Sequence, residues 1–438
     1  MSKSATEKLT IQPGQSLQGT TRVPGDKSLS HRAILMGMLA NGTTHVRGWL
    51  AAGDTEATLG TARTLGVQIE RHDKHTMTIH GGTLHVPSEP LDFVNAGTGI
   101  RLAAGIMAGQ PFASVLDGSE QLRRRPMRRI LTPLQQMGAN ITAANERCPL
   151  NIYRAQLHGI TYNMPEASAQ VKSAILLAGL FAEGVTTVIQ PGPTRDHTER
   201  VLQAMGANIV TDGNMIALTP GATLRPLDMT VPGDFSSAAF LIVAGLVVPG
   251  SDITLEGVNL NITRTGLIDA LLPMGANITV TETGLEGGEP VGTIRIQHSV
   301  LRGTEIGGDL VVRMIDEFPV FMIAAICAEG ETIVRDAQEM RVKETDRIAV
   351  MVTELSNLGI QIEERPDGFR LVGPQKITGG VVEGHDDHRI AMSLTVAGLL
   401  AEGVTTVNDS TCAGDSFPGF VETLQALGAQ LDESPLLV

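Results

Sequence analysis

The sequence predicts an α/β protein of two similar domains, each built from three repeat units with helices inside and sheets outside. Three observations predict this. A polar turn leading into an apolar helix occurs six times: at Val23-Pro-Gly-Asp-Lys-Ser, Asn95-Ala-Gly-Thr, Met164-Pro-Glu-Ala-Ser, Val231-Pro-Gly-Asp-Phe-Ser, Met314-Ile-Asp-Glu-Phe-Pro and Glu383-Gly-His-Asp-Asp-His. Six matching glycines, Gly66, Gly138, Gly206, Gly275, Gly359 and Gly428, follow Leu or Met and read as residues just past a helix C-terminus. Successive differences between them are 72, 68, 69, 84 and 69 residues, so one α/β unit recurs through the chain. Finally, the helices are apolar nearly all round, whereas strands such as Thr76-Met-Thr-Ile-His alternate. An all-apolar helix is buried and an alternating strand is half-exposed, which puts sheet outside helix.

The units run in order. A short strand, Lys8 to Gln12, ends at Pro13-Gly14. Residues 1–20 and 232–438 are assigned to one domain, residues 21–231 to the other, with the active site in the cleft between them. In the first unit, Asp26 or Ser28 can cap a helix over Leu29 to Leu39. Lys27 and His31 share one face, Ser28 and Arg32 another. Cations, hydroxyls and unpaired backbone N–H groups at the positive end of a buried helix make an anion site. Trp49, the only Trp, reads as packing.

In the second unit, Gly97 and Gly99 flank Thr98 at a helix start, where backbone can approach a ligand closely. The run Arg123, Arg124, Arg125, Arg128, Arg129 reads as a solvated basic face, with Arg125 before Pro126 as the exception. The third unit offers Ser168, Gln170 and Lys172, then Arg195 in a turn before a helix. His197 beside it reads as a cap. In the fourth, Gly233-Asp-Phe-Ser-Ser237 is short of cations and reads as caps and domain-crossing contacts.

In the fifth unit, Asp316 and Glu317 adjoin an apolar helix, and Asp316 is the stronger functional candidate. Lys343 and Arg347, four apart, would place two like charges on one helix face, unfavourable by roughly 0.2–0.5 kcal/mol unless an anion lies between them. The sixth unit carries His385, His388 and Arg389, which suit an anion better than a metal because no third His or Cys adjoins them. Asp415-Ser-Phe-Pro418 is expected to begin the last helix.

Composition narrows the function. With 33 Lys+Arg against 47 Asp+Glu, the net charge of −14 argues against nucleic-acid or anionic-membrane binding. Aromatic residues are only 3%, so the core is aliphatic. Cys148, Cys327 and Cys412 are few and unpatterned, as in a reducing compartment. Met1 to Thr10 is polar with no signal-peptide core. The longest apolar run, Ala238 to Val248, falls short of the ~20 residues of a membrane span. A cytoplasmic location is expected.

The motifs Pro24-Gly-Asp-Lys-Ser with His31-Arg32, Asn95-Ala-Gly-Thr, Arg125-Pro126, Arg341-Val-Lys-Glu-Thr-Asp-Arg347, Asp387-His-Arg389 and Ser416-Phe-Pro418 resemble those of the 5-enolpyruvylshikimate-3-phosphate synthase family, in family order and over nearly all the chain. The resemblance implies two domains of three βαβαββ units each, an inside-out α/β barrel. It implies transfer of the enolpyruvyl group of phosphoenolpyruvate to the 5-hydroxyl of shikimate 3-phosphate, through a tetrahedral ketal phosphate, in the pathway to chorismate and aromatic amino acids. No cofactor or metal is implied, and a monomer is expected.

By the same resemblance, Lys27, Gly97, Arg125, Gln170, Arg347 and Arg389 bind phosphoenolpyruvate. Lys27, Ser28, Arg32, Ser168, Gln170, Arg195, Asp316 and Lys343 bind shikimate 3-phosphate. Asp316 is the base, Glu344 an acid towards the methylene carbon, and Lys27 a further catalytic residue. Guanidinium groups suit both substrates, because each carries a phosphate and a carboxylate.

Some positions depart from the family pattern. Asp415 stands where many members have Lys, Ala169 where many have a second Ser, Arg195 where others have a Tyr-containing segment, and Leu102 where Pro is usual. Two alternatives share the fold: an enolpyruvyl transferase acting on a UDP-aminosugar, and a non-catalytic binder of a phosphorylated ligand. The first commonly uses a loop cysteine, and Ser119 to Pro126 has none.

Overall fold

The computed structural model describes residues 7–435. The chain divides into two compact units. One comprises the described residues through Pro24, Gly233–Gly284 and those from Pro290 onward. The other comprises Gly25–Pro232 and Leu285–Glu289.

Among the described residues there are six four-stranded sheets, all with one strand order. In one of them, Met229–Thr230 lies beside Gly42–Arg47, then Met77–Gly81, then Gln68–Arg71. The edge pair is parallel, although its two strands lie far apart in sequence, and the remaining pairs are antiparallel. A parallel edge pair recurs in every sheet. Thus all six units share a topology, as the periodicity predicts. Glu7–Gln12 completes the sheet of Gly380–Glu383, Thr405–Asn408 and Gln430–Pro435, so the start of the chain closes its last unit.

Each polar turn leads into a buried helix: Lys27–Gly37, Gly97–Ala108, Ala169–Gly179, Phe235–Val247, Phe318–Cys327 and His388–Gly398. All thirteen residues of Phe235–Val247 are buried. The sheets show the expected one-sided burial, with alternating inward residues in Gly42–Arg47, Thr186–Ile189 and Thr405–Asn408. The six matching glycines all have φ between 85° and 111°, the left-handed conformation that ends a helix. Trp49 is wholly buried; its indole N–H donates to the Ser30 carbonyl at 3.2 Å, and the Arg71 guanidinium lies over its ring.

Two helices approach with backbones nearly touching. A Cβ on Gly105 would lie 2.2 Å from the carbonyl oxygen of Ala174, so only glycine allows Gly97–Ala108 to pack this closely on Ala169–Gly179. That approach puts the start of one helix beside the start of the other.

Some local expectations are corrected. The first inner helix begins at Lys27, two residues before the expected Leu29, because the Asp26 carboxylate accepts from the Leu29 N–H and caps it. Lys343 and Arg347 do not share a helix face: Asp346 caps a helix Arg347–Asn357, and Lys343 follows a 3₁₀ turn, Gln338–Val342. The last helix begins at Phe420 after Gly419, whose φ of 81° interrupts the chain; the segment ahead of it is a 3₁₀ turn, Ser410–Asp415.

Candidate active site

In the unit formed mainly by Gly25–Pro232, the sequence-predicted residues cluster at inner-helix starts. Lys27 is the first residue of its helix, and its Nζ lies 2.5 Å from Oδ2 of Asp54. Gly97 opens Gly97–Ala108, with the half-buried Arg125 guanidinium against it. The Ser168 Oγ accepts from the Val171 N–H at the start of Ala169–Gly179. Gln170 has a defined amide orientation: its Nε2 donates to Thr98 Oγ1 at 2.9 Å, and its Oε1 accepts from Arg101 Nη1 at 2.9 Å. Arg101 also donates to the Gly97 carbonyl at 3.2 Å. Arg125, Gly97, Arg101 and Gln170 therefore form one continuous array.

Arg32 is buried. It donates to Thr198 Oγ1 at 2.9 Å, to Ser173 Oγ at 3.0 Å and to the Ser28 carbonyl at 2.9 Å. Burial, with half-buried Arg195 adding to it, lowers its pKa to about 10 against the opposing pull of Glu199, Asp26 and Glu289. Lys172, fully buried, pairs with Glu199 at 2.6 Å. His31 does not act as a cation: burial drives its pKa to about 3, and its Nδ1 meets Thr58 Oγ1 at 2.8 Å.

Most of the arginine run is solvated, as expected. Arg123 pairs with Asp117, Arg124 with Glu120, Arg128 with Glu146 and Arg129 with Glu166. His197 is not a cap. It is the first residue of His197–Ala204, its ring is buried, and its Nδ1 lies 2.7 Å from Glu289 Oε1. Together with Asp196 these groups bring three ligand-type atoms within 4.8 Å of one another.

In the other unit, four predicted residues, Asp316, Lys343, Glu344 and Arg389, gather around a fifth, Arg347, which is buried. Its Nε donates to Asp387 Oδ2 at 2.9 Å, its Nη2 to Glu344 Oε2 at 2.6 Å, and its Nη1 lies 3.4 Å from Asp316 Oδ1. Arg389 donates from Nη1 to the Asp316 carbonyl at 3.0 Å, and its Nη2 lies 3.8 Å from Asp316 Oδ2. Burial tends to lower the pKa of Arg347, but Asp387 and Glu344 outweigh it and keep the guanidinium charged. Burial alone would raise the Asp387 carboxyl; the Arg347 charge overrides this and holds it below the usual carboxylate range. Burial lowers the Lys343 ammonium, with Asp316 opposing and Arg347 adding to the effect.

Asp54, Arg101 and Asp387 were not predicted as site residues. Asp387 had a local signal, since its carboxylate caps the helix carrying Arg389. Asp54 had none, being far in sequence from Lys27. Glu317 is turned away from solvent and its Oε1 accepts from Ser236 Oγ. His385 Nε2 bonds to Glu354 Oε1 at 2.7 Å, and Asp415 is exposed at the end of its turn.

The arrangement offers several guanidinium and ammonium groups at helix N-termini, with a carboxylate between two of the guanidiniums. That is suited to polyanionic substrates and to proton transfer beside them. Comparisons with known proteins agree. Residues 11–424 match the family model of EPSP synthase (3-phosphoshikimate 1-carboxyvinyltransferase). The chain is 50% identical over 423 residues to the 3-phosphoshikimate 1-carboxyvinyltransferase of Citrifermentans bemidjiense, covering 95% of this chain and 98% of that protein. It is 49% identical to the enzyme of that name from Acidithiobacillus ferrooxidans, covering 96% and 98%. A solved EPSP synthase from Acinetobacter baumannii superposes with a TM-score of 0.89 at 45% identity, covering 98% of this chain and all of that one. The enolpyruvyl transferase NikO from Streptomyces tendae, at 19% identity and a TM-score of 0.81 over 99% of this chain and all of that one, shares the fold. By the family model and by these relatives, the chain belongs to the EPSP synthase (3-phosphoshikimate 1-carboxyvinyltransferase) family.

Proposed function

We propose that this protein transfers the enolpyruvyl group of phosphoenolpyruvate to the 5-hydroxyl of shikimate 3-phosphate, releasing phosphate. The observation that carries the reading is the Asp316 carboxylate held between Arg347 and Arg389. A carboxylate so held can take a proton while the cations beside it receive an anionic substrate.

Asp316 removes the proton of the 5-hydroxyl, and the oxygen attacks C2 of phosphoenolpyruvate. Glu344, 2.6 Å from Arg347, enters the addition in its acid form and gives up that proton to the methylene carbon, which becomes a methyl group. The product of addition is a tetrahedral ketal phosphate. Elimination removes one methyl proton, re-forms the double bond and expels phosphate.

Lys27, Gly97, Arg125, Gln170, Arg347 and Arg389 bind phosphoenolpyruvate, the guanidiniums taking its phosphate and carboxylate. Lys27, Ser28, Arg32, Ser168, Gln170, Arg195, Asp316 and Lys343 bind shikimate 3-phosphate. Both sets serve one pair of substrates, and the clustered cations stabilise charge on the intermediate. The Lys27 ammonium that would meet a substrate anion also pairs with Asp54. No step calls on a cofactor. The three unpaired cysteines fit a cytoplasmic protein.

The test is phosphate release from phosphoenolpyruvate with shikimate 3-phosphate or a UDP-aminosugar as acceptor. Release that depends on shikimate 3-phosphate alone is expected. Turnover with the aminosugar, or binding without release, would sink the proposal.

A further inference from the structure

We propose that Arg264, Ser236 and Glu317 form a buried relay that sets the position of Asp316, an inference that rests on reading Asp316 as the base. Arg264 is 2% exposed, Ser236 2%, Asp234 4% and Glu317 0%. The Arg264 Nη2 donates to Asp234 Oδ1 and to Ser236 Oγ, both at 2.8 Å. The Ser236 hydroxyl in turn donates to Glu317 Oε1. Asp234 also caps the helix Phe235–Val247, accepting from the Ser236 N–H at 2.8 Å. One buried cation thus ties the cap of that helix to the residue preceding Phe318–Cys327.

Glu317 is the direct neighbour of Asp316. Its own N–H donates to the Met314 carbonyl at 2.9 Å, and its carbonyl accepts from the Phe321 N–H at 2.9 Å. The Asp316 carbonyl is gripped by Arg389. The turn carrying Asp316 is therefore pinned on one side by Arg389 and on the other by the Glu317 side chain. Two buried carboxylates, one on the Arg264 guanidinium and one reached from it through a hydroxyl, are a costly arrangement for stability alone, since well-packed apolar side chains do as well or better. Their placement one residue from Asp316 gives the arrangement a use: a base displaced by ~1 Å can lose on the order of 10²-fold in rate. Arg264, Ser236 and Glu317 are positioning residues and touch no substrate.

The experiment compares Ser236→Ala and Glu317→Gln, each alone and combined with Asp316→Asn, with melting temperature and shikimate 3-phosphate affinity measured alongside. Each single variant should lower kcat by about tenfold or more while KM for both substrates stays within about twofold. Added to Asp316→Asn, neither should lower kcat further, because groups that act as one unit are not additive. A residual activity that falls by the same factor in the Asp316→Asn background would mean a merely structural role. Full kcat in Ser236→Ala and Glu317→Gln, with Asp316→Asn inactive, would overturn the relay and leave Asp316 as the base. Full kcat in Asp316→Asn would overturn both.

Discussion

Gly97 and Arg125 compete for the same space: a Cβ built on Gly97 falls 2.8 Å from the Arg125 Nη1. A second guanidinium, that of Arg101, is 3.1 Å from the same point. Because Gly97 has no Cβ, both guanidiniums can lie against it.

Gly97→Ala should fold normally, since the nearest atoms are the ends of flexible side chains. It should displace Arg125 from its present position. Glyphosate, expected from the family in the phosphoenolpyruvate site, is longer than the substrate and should suffer more. The inhibition constant should rise by about tenfold or more, the scale of one perturbed charged hydrogen bond, and KM for phosphoenolpyruvate by less. Steady-state kinetics on both proteins gives the two ratios, and equal ratios would remove Gly97 as a discriminating wall.

Asp316→Ala should reduce kcat by roughly 10²–10⁴-fold, the range of a general base. Affinity for shikimate 3-phosphate, read by calorimetry, should change far less. If affinity collapses while kcat survives, Asp316 is a binding residue.

Asp387 exists to hold Arg347, and the pair is buried with the Nε contact at 2.9 Å. Asp387→Asn leaves the guanidinium with Glu344 and Asp316 only, and should cost roughly 3–5 kcal/mol, as for a broken buried pair. KM for phosphoenolpyruvate should rise as well. Urea titrations of Asp387→Asn, Arg347→Met and the double variant measure the coupling. Strictly additive losses would show that the pair does not act as one.

His31 makes stability depend on pH. Its folded pKa is about 3, because burial outweighs the attraction of Asp54, with Lys27 and Arg32 adding to the depression. The unfolded chain binds a proton near pH 6.5 and the native protein does not. Stability from this residue is therefore whole above about pH 6.5 and falls as pH drops towards 3. The slope is about 1.4 kcal/mol per pH unit, or about 2 kcal/mol between pH 6.5 and 5. Urea midpoints of the wild type and His31→Gln at pH 7 and 5 check this. An equal loss in both proteins would show that His31 is not the group responsible.

The sequence by itself determined the repeat, the buried helices and the polar turns that start them, because these depend on neighbouring residues. A glycine after Leu or Met ends a helix through its own φ, and an apolar helix must find a core wherever it is placed. It also placed the arginines and acids near helix starts, where four of the predicted residues converge around a fifth, Arg347. It misread Lys343 and Arg347 because spacing assumes an unbroken helix, and the Asp346 cap begins a new one between them. Only the tertiary structure decided which charge meets which. Lys27 reaches Asp54, Arg347 reaches Asp387, and Arg264 reaches Glu317 through Ser236, across gaps in sequence that no local pattern records. One further meeting depends on how closely two buried helices stack. A bare hydrogen at Gly105 against the Ala174 carbonyl sets that distance, and with it the meeting of Gln170, Thr98 and Arg101.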